Sequence, residues 1–345
     1  MEKLKQVVQS AINLNASDLH LSVGLPPILR IDGELRRQNE EIITNDEIIE
    51  FGKNLTTETQ WKSFQEKGEV DFSFSNEEQQ RFRVNLFLQS GKTSLAIRPI
   101  STSIPSLQDL SLPNVISQIV EAPHGLILVT GPTGSGKSTT LASMVDFINQ
   151  TKRKHIITLE DPIEYIHTHK NSVIQQREVG TDTESFANGL RASLRQDPDI
   201  ILVGELRDLE TISTAITAAE TGHLVLATLH TSSAVATVER IVDVFPAEQQ
   251  GKIRLQFANV LVGAISQKLF PRIDTKGRIV ATEILLNNAA VANMIRTDKI
   301  HQLPSVMQTS KAQGMHTFQT SLTDLVRKGI LSKSSVAPYV EERIM

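Results

Sequence analysis

The chain has 345 residues, 39% of them hydrophobic and 21% charged, with a formal net charge of -4 and aromatic residues at only 4%. That length allows two domains of ordinary globular composition, with cores resting on Ile, Leu, Val and Ala. The mild acidity argues against a protein that lives on nucleic-acid phosphates, and the absence of cysteine excludes disulfides, thiol chemistry and cysteine-ligated zinc or iron–sulfur centres.

Leu4, Val7, Val8, Ala11 and Ile12 recur at helical spacing, so the chain is expected to open with an amphipathic helix. The stretch MEKLKQVVQSAINLNASDLH has no signal-peptide core, and no apolar run reaches the ~18 residues a membrane span needs. The expected location is the cytoplasm, with membrane contact only through a partner and no direct insertion. SDLHLSVG alternates as a strand does. ILRI-DG-ELRR reads as a hairpin turning at Asp32 and Gly33, because both turn positions tolerate positive φ. Residues 45–67 read as two short helices, and VDFSFS, RFRVNLFLQ and KTSLAIRPI alternate again. Residues 1–100 are therefore expected to form a small α+β domain with an antiparallel sheet. The Ser- and Pro-bearing segment 101–113 reads as a linker. Beyond it, unbroken apolar runs (GLILVT, HIITLE, DIILVGE, HLVLATLH) alternate with helical segments, which predicts a mostly parallel sheet covered on both faces. Residues 283–345 read as mainly helical, with breaks at Pro304, Gly314 and Gly329.

The first run leads into Gly131-Pro132-Thr133-Gly134-Ser135-Gly136-Lys137-Ser138-Thr139 and then into a helix carrying Leu141, Met144, Val145 and Ile148 on one face. This is a G-x-x-x-x-G-K-S phosphate cradle in its proper strand–loop–helix context. Glycines let backbone N–H groups turn inward around phosphate oxygens, and the helix N-terminus adds the positive end of its dipole. Lys137 is expected to reach the terminal phosphates and the Ser138 hydroxyl to bind Mg²⁺, so ATP and Mg²⁺ are the expected cofactors.

Acids stand where a hydrolase needs them. ITLEDPIEY supplies Glu160, Asp161 and Glu164 just past one strand, and Asp199-Ile-Ile-Leu-Val-Gly-Glu205 ends another with an acid. Gly204 occupies the place where such strands commonly carry Asp. Glu205 is the candidate metal-side acid, reaching the ion directly or through water, and Glu164 the preferred base for the attacking water. Each acid taken singly is equally well a solvated charge or a helix cap. His223 and His230 stand at opposite ends of the run LVLATL. His230 falls on the nucleotide side as a candidate γ-phosphate sensor, although a lone histidine is more often structural. RFRVNLFLQ puts Arg81 and Arg83 on one strand face, and Arg98 follows in SLAIRPI. Their pattern alone favours a solvated face over arginine fingers that act on a neighbouring subunit's nucleotide.

GPTGSGKSTT, ITLEDPIEY, ASLRQDPDIILVGELRDLETI and TGHLVLATLHT together resemble, in order and spacing, the motor ATPases of type II secretion and type IV pili. They look like that family's Walker A, Asp box, atypical Walker B and His box. ASDLHLSVGLPPILRIDG and RFRVN extend the resemblance over nearly the whole chain. VDVFPAEQQ, QGMHTF and the lack of the four-cysteine zinc module usual in the assembly branch point to the retraction (PilT/PilU) branch. The resemblance implies a PAS-like N-terminal domain, a RecA-like ATPase core over residues 114–345, and a homohexameric ring with nucleotide between domains. It implies Glu164 as base, Glu205 on the metal side, His230 as phosphate sensor, and Arg81, Arg83 and Arg98 near phosphate. Activity would be ATP hydrolysis driving pilus retraction and twitching. The ring would dock peripherally on the cytoplasmic face of an inner-membrane PilC-like platform protein, with a PilU-like paralogue as a further partner. The rivals are a PilU-like accessory retraction motor, another secretion-family motor, and a nucleic-acid translocase. The last is disfavoured because no basic run exceeds Lys152-Arg153-Lys154.

Overall fold

A computed structural model describes residues 2–31, 33–38, 41–76, 78, 80–100 and 103–340. The chain forms two compact units, one of Met1–Thr102 with Glu164–Ile166, the other of Ser103–Ile163 with His167–Met345.

The first unit holds an antiparallel sheet of β1 (Asp18–Ser22), β2 (Ile28–Ile31), β3 (Glu34–Arg37), β4 (Glu69–Ser75), β5 (Arg81–Gln89) and β6 (Lys92–Pro99), in the order β3-β2-β1-β6-β5-β4. The alternation read from the sequence holds. Leu19, Leu21, Phe82, Val84, Leu86, Leu95 and Ile97 are buried and share a core with Leu4, Val7, Val8 and Ala11 of the opening helix Glu2–Asn13. The two expected helices are Asn45–Leu55 and Glu58–Lys67. Each starts with a reciprocal capping box, Thr44 with Glu47 and Thr57 with Gln60, of the kind that contributes ~1 kcal/mol. Gly33 of the predicted hairpin turn has φ +87°; its partner Asp32 lies outside the described residues, as do Ser101 and Thr102 of the segment read as a linker.

The second unit is built on β7 (Gly125–Thr130), β8 (His155–Glu160), β9 (Val173–Glu178), β10 (Ile200–Val203), β11 (Leu224–Leu229), β12 (Leu261–Pro271) and β13 (Arg278–Leu286), ordered β13-β12-β7-β11-β10-β8-β9. All neighbours are parallel except β13, which runs against β12. The unbroken apolar runs arise because both faces are covered. Leu126 and Leu128 enter one core, with the helices Leu209–Glu220 and Ala247–Val260. Ile127 and Val129 enter the other, with the helix Lys137–Thr151. Residues 107 and 112 also bury their leucines in this second core, and Ser143 Oγ donates to Pro105 O.

The C-terminal part differs in two respects from the sequence expectation. Strand β13 runs through Leu286 before the helices Ala289–Arg296, Leu303–Thr309, Phe318–Arg327 and Lys333–Val340 begin. Pro304 starts a helix instead of breaking one, since the first turn has no use for the N–H that proline lacks. Gly314 and Gly329, at φ +93° and +73°, do close turns. Among the described residues no helix is long and apolar enough to cross a membrane.

Candidate functional site

The cradle is set by β7 and β12 lying side by side. Thr130 ends β7, and the loop then turns through Gly131, Gly134 and Gly136 at φ +145°, +76° and +90° before the helix Lys137–Thr151. Gly131 is also a steric requirement. A Cβ there would lie 2.3 Å from Gln267 O and 2.7 Å from Ser135 Oγ. Gln267, on β12, supports the loop from below, its Nε2 donating 2.8 Å to Ser135 O. Gln267 Oε1 and Ser135 Oγ are buried without a hydrogen-bond partner among the described residues. Gly136 precedes the helix without a side-chain cap, so the first N–H groups of the helix remain for a ligand. Lys137 Nζ donates to Gly131 O at 2.9 Å and Pro132 O at 3.1 Å. Burial pulls its pKa below the ordinary lysine range, with the Glu205 carboxylate acting in the opposite sense. Ser138 is exposed, Thr139 half-buried, and Pro132, Thr133 and Gly134 form the exposed rim.

Glu205 follows β10 and is held from both sides. Arg207 Nε lies 2.7 Å from Oε2 and His230 Nε2 lies 3.2 Å from Oε1, with the carboxylate side chain 18% exposed. Its backbone is fixed by neighbouring strands: Gly204 N donates to Leu159 O at 2.7 Å, Leu206 N to Thr228 O at 2.9 Å, and Thr228 Oγ1 to Gly204 O. The same closeness accounts for glycine at 204. A Cβ there would stand 3.1 Å from Leu159 O and 3.4 Å from Glu160 Cα, so the customary Asp has little room. Glu160, ending β8, accepts from Thr158 Oγ1 at 2.6 Å and Gln176 Nε2 at 3.1 Å, while Asp161 is exposed. His223, at the far end of β11, has Nδ1 2.9 Å from Ala218 O, a structural contact.

Beside the loop a cleft of about 160 Å³ is lined by Leu110, Thr139, Thr140, Leu269, Arg278 and Val280, among others.

The structure thus gathers the Gly131–Thr139 loop, Lys137, Glu205 and His230 at one end of the parallel sheet. Glu164 is half-buried in the segment counted with the first unit. Arg81, Arg83 and Arg98 lie on the first unit's sheet, on the face opposite its core. Arg83 stands directly across from Arg98 in the β5–β6 register, and Arg81 donates to Ser73 Oγ at 2.8 Å. Arg98 grips Asp18 Oδ1 through Nε at 2.9 Å and Nη2 at 2.8 Å. Two like charges directly opposite are unfavourable without a counter-ion, which Asp18 supplies for one of them. Sequence reasoning missed Arg207 and Gln267. Arg207 had a faint signal, a cation two residues beyond the strand-end acid; Gln267 had none.

The profile of the family described as type II/IV secretion system protein matches residues 1–337. The chain is 48% identical over 320 residues to the type IV pilus retraction ATPase PilT of Pseudomonas aeruginosa, covering 93% of each chain. It is 48% identical over 306 residues to a twitching motility protein of Neisseria gonorrhoeae, covering 89% of this chain and 82% of the relative. Among solved structures it is similar to the pilus retraction motor PilT with bound ADP, at a TM-score of 0.91 and 46% identity, covering 96% and 95% of the two chains. That likeness bears out the expected α/β architecture, an N-terminal domain followed by a RecA-like ATPase domain.

Proposed function

From the premise that this chain belongs to the type II/IV secretion system protein family, we propose that it is an ATP-hydrolysing motor that retracts type IV pili and so drives twitching motility. One observation carries the reading within the molecule. A complete phosphate loop shares one end of the sheet with a carboxylate that Arg207 and His230 hold from either side.

The residues fit ATP with a small hard cation. Lys137 already points its ammonium at loop carbonyls, and phosphate oxygens replace those acceptors when nucleotide binds. Ser138 and Glu205 would hold the cation together with phosphate oxygens, hard oxygen donors of the kind Mg²⁺ takes. When bound there, Mg²⁺ would neutralise phosphate charge. His230, bonded to Glu205, senses the terminal phosphate, and Glu164 orients and deprotonates the attacking water. Arg81, Arg83 and Arg98 serve a nucleotide on an adjacent protomer of a homohexamer; for Arg98 this means exchanging the Asp18 carboxylate for a phosphate. The ring works peripherally at the cytoplasmic face of the inner membrane, on a PilC-like platform protein, with a PilU-like paralogue as a further partner. Nucleic acid is not among its ligands.

Steady-state ATPase assays with and without DNA test the reading. Glu205→Gln is expected to keep ADP affinity within about threefold while kcat falls at least ~100-fold, and Lys137→Ala to lose both. Wild-type turnover in Glu205→Gln, or stimulation by DNA, refutes it.

A further inference from the structure

Behind the phosphate loop the second unit buries hydroxyls among aliphatic side chains. Thr130, Ser266 and Thr237 are each 0% exposed. Thr130 Oγ1 lies 2.6 Å from Ser266 Oγ and 3.3 Å from Thr237 Oγ1, and Thr237 Oγ1 lies 2.7 Å from Thr231 Oγ1. Thr237 also donates 2.7 Å to Ser233 O. Burying a hydroxyl is unfavourable unless it is bonded, and these satisfy one another.

The ends of this row matter. Thr130 is the last residue of β7 and is joined through one peptide to Gly131, the start of the cradle. Thr231 is joined through one peptide to His230, whose ring holds Glu205. Three side chains from β7, the helix Ala234–Asp243 and the loop after β11 therefore connect the loop that grips phosphate to the histidine on the hydrolytic acid.

Proton counting gives the row a direction. A hydroxyl donates once, and a carbonyl cannot donate at all. Thr237 has one proton for two acceptors, Ser233 O at 2.7 Å and Thr130 Oγ1 at 3.3 Å, and a lone pair free to accept from Thr231 Oγ1. Thr130 Oγ1 accepts from Thr237 when that proton turns toward it, and shares a second hydrogen bond with Ser266 Oγ. The Thr237 hydroxyl is therefore the two-position element: in one position it bonds the root of the cradle at Thr130, in the other the Ser233 carbonyl, and its Thr231 contact links that choice to the residue after His230. Coupling between sites needs such an element.

We propose that Thr231, Thr237 and Thr130 are positioning residues that transmit the state of His230 to the phosphate loop. This rests on the reading that His230 and the loop belong to one hydrolytic site.

The test is a double-mutant cycle on the full-length protein with His230→Gln and Thr237→Val, which loses the hydroxyl at nearly constant shape. The readouts are kcat and KM for Mg-ATP, the release rate of a fluorescent ADP analogue, and thermal melting. Thr237→Val alone is expected to lower kcat about tenfold with KM within about twofold, and the double variant to be no more than about twofold slower than His230→Gln. Thr237→Ser, which restores the hydroxyl, is expected to restore turnover. An unchanged kcat in Thr237→Val, effects that multiply in the double variant, or failure of serine to rescue overturns the proposal. If Thr237→Val does not fold, Thr231→Val, at a half-buried position, enters the same cycle with the same expectations. A wild type that hydrolyses no ATP refutes the functional reading instead, and the ADP-release rates then still decide whether the two positions are coupled.

Discussion

Replacing Gly131 with alanine isolates the contribution of one close approach. The new Cβ would sit 2.3 Å from the backbone oxygen of Gln267. Carbon and oxygen ordinarily keep at least ~3.3 Å, so the loop and β12 must part by ~1 Å, and no side-chain rotation relieves the overlap. A shift of that size takes an N–H···O contact with phosphate from ~2.9 Å to beyond bonding range. Losing two such charge-assisted contacts, at about 1.5–3 kcal/mol each, weakens nucleotide binding on the order of a hundredfold or more. The positive φ of +145° adds backbone strain of about 1–3 kcal/mol to the folded state. Gly134 is the internal control. It has φ +76° with nothing within 4 Å of the added carbon, so alanine there meets only the left-handed penalty of about 1–2 kcal/mol. Fluorescent ADP titrations of both variants, with thermal melts alongside, are expected to rank Gly131→Ala well below Gly134→Ala, and the latter within about tenfold of wild type. A folded Gly131→Ala protein that binds ADP within about threefold of wild type, or the reverse ranking, refutes the steric argument.

Two further outcomes concern stability. Glu283 is buried and accepts from Ala234 N at 2.8 Å and Phe318 N at 3.2 Å, thereby joining two helix starts. Glu283→Ala should cost ~3 kcal/mol or more and lower the melting temperature by several degrees, with Glu283→Gln recovering part of it, as calorimetry would show. The His167 imidazole, with Asp146 favouring its charge and Lys170 opposing it, is pushed by burial from 6.5 down to about 4. Between those values the unfolded chain takes up a proton that the fold refuses. Stability from this group is therefore full above pH 6.5, is lost as pH falls toward 4, and amounts to about 3 kcal/mol across the window. Urea denaturation of His167→Leu at pH 7 and pH 5 should show a smaller drop than wild type; an equal drop refutes the assignment.

What was legible in the sequence was what is encoded locally. The phosphate loop, its strand and its helix are contiguous, and β10 and β11 are short aliphatic runs whose burial on both faces leaves a plain signature. Strand β12 was hidden because its middle carries Ser266 and Gln267, buried at 0% and 2%. Polar residues in a strand centre suppress both the alternation and the apolar run, and here they are polar because they serve the hydroxyl row and the loop. Strand β9, VIQQRE at the sheet edge, is obscured by its own polarity. Gln267 escaped notice because its partner is defined by strand order, which a one-dimensional pattern does not contain; Arg207 stands two residues from Glu205, but its bond to that carboxylate depends on side-chain geometry. Gly204 could be read as an absence of Asp, but only the proximity of Leu159 O supplies its cause.

The amide that supports the cradle lies 132 residues downstream of the serine carbonyl it holds. Translation proceeds at about 5–20 residues per second, so a growing polypeptide carries the entire phosphate-binding motif for roughly 6–26 seconds before that amide is made. Until then β7 also lacks one of its two neighbours in the sheet, β12, and for most of that time β11 as well. The loop's sequence is thus complete long before its support: the amide under Ser135 and the strand beside β7 both arrive with β12.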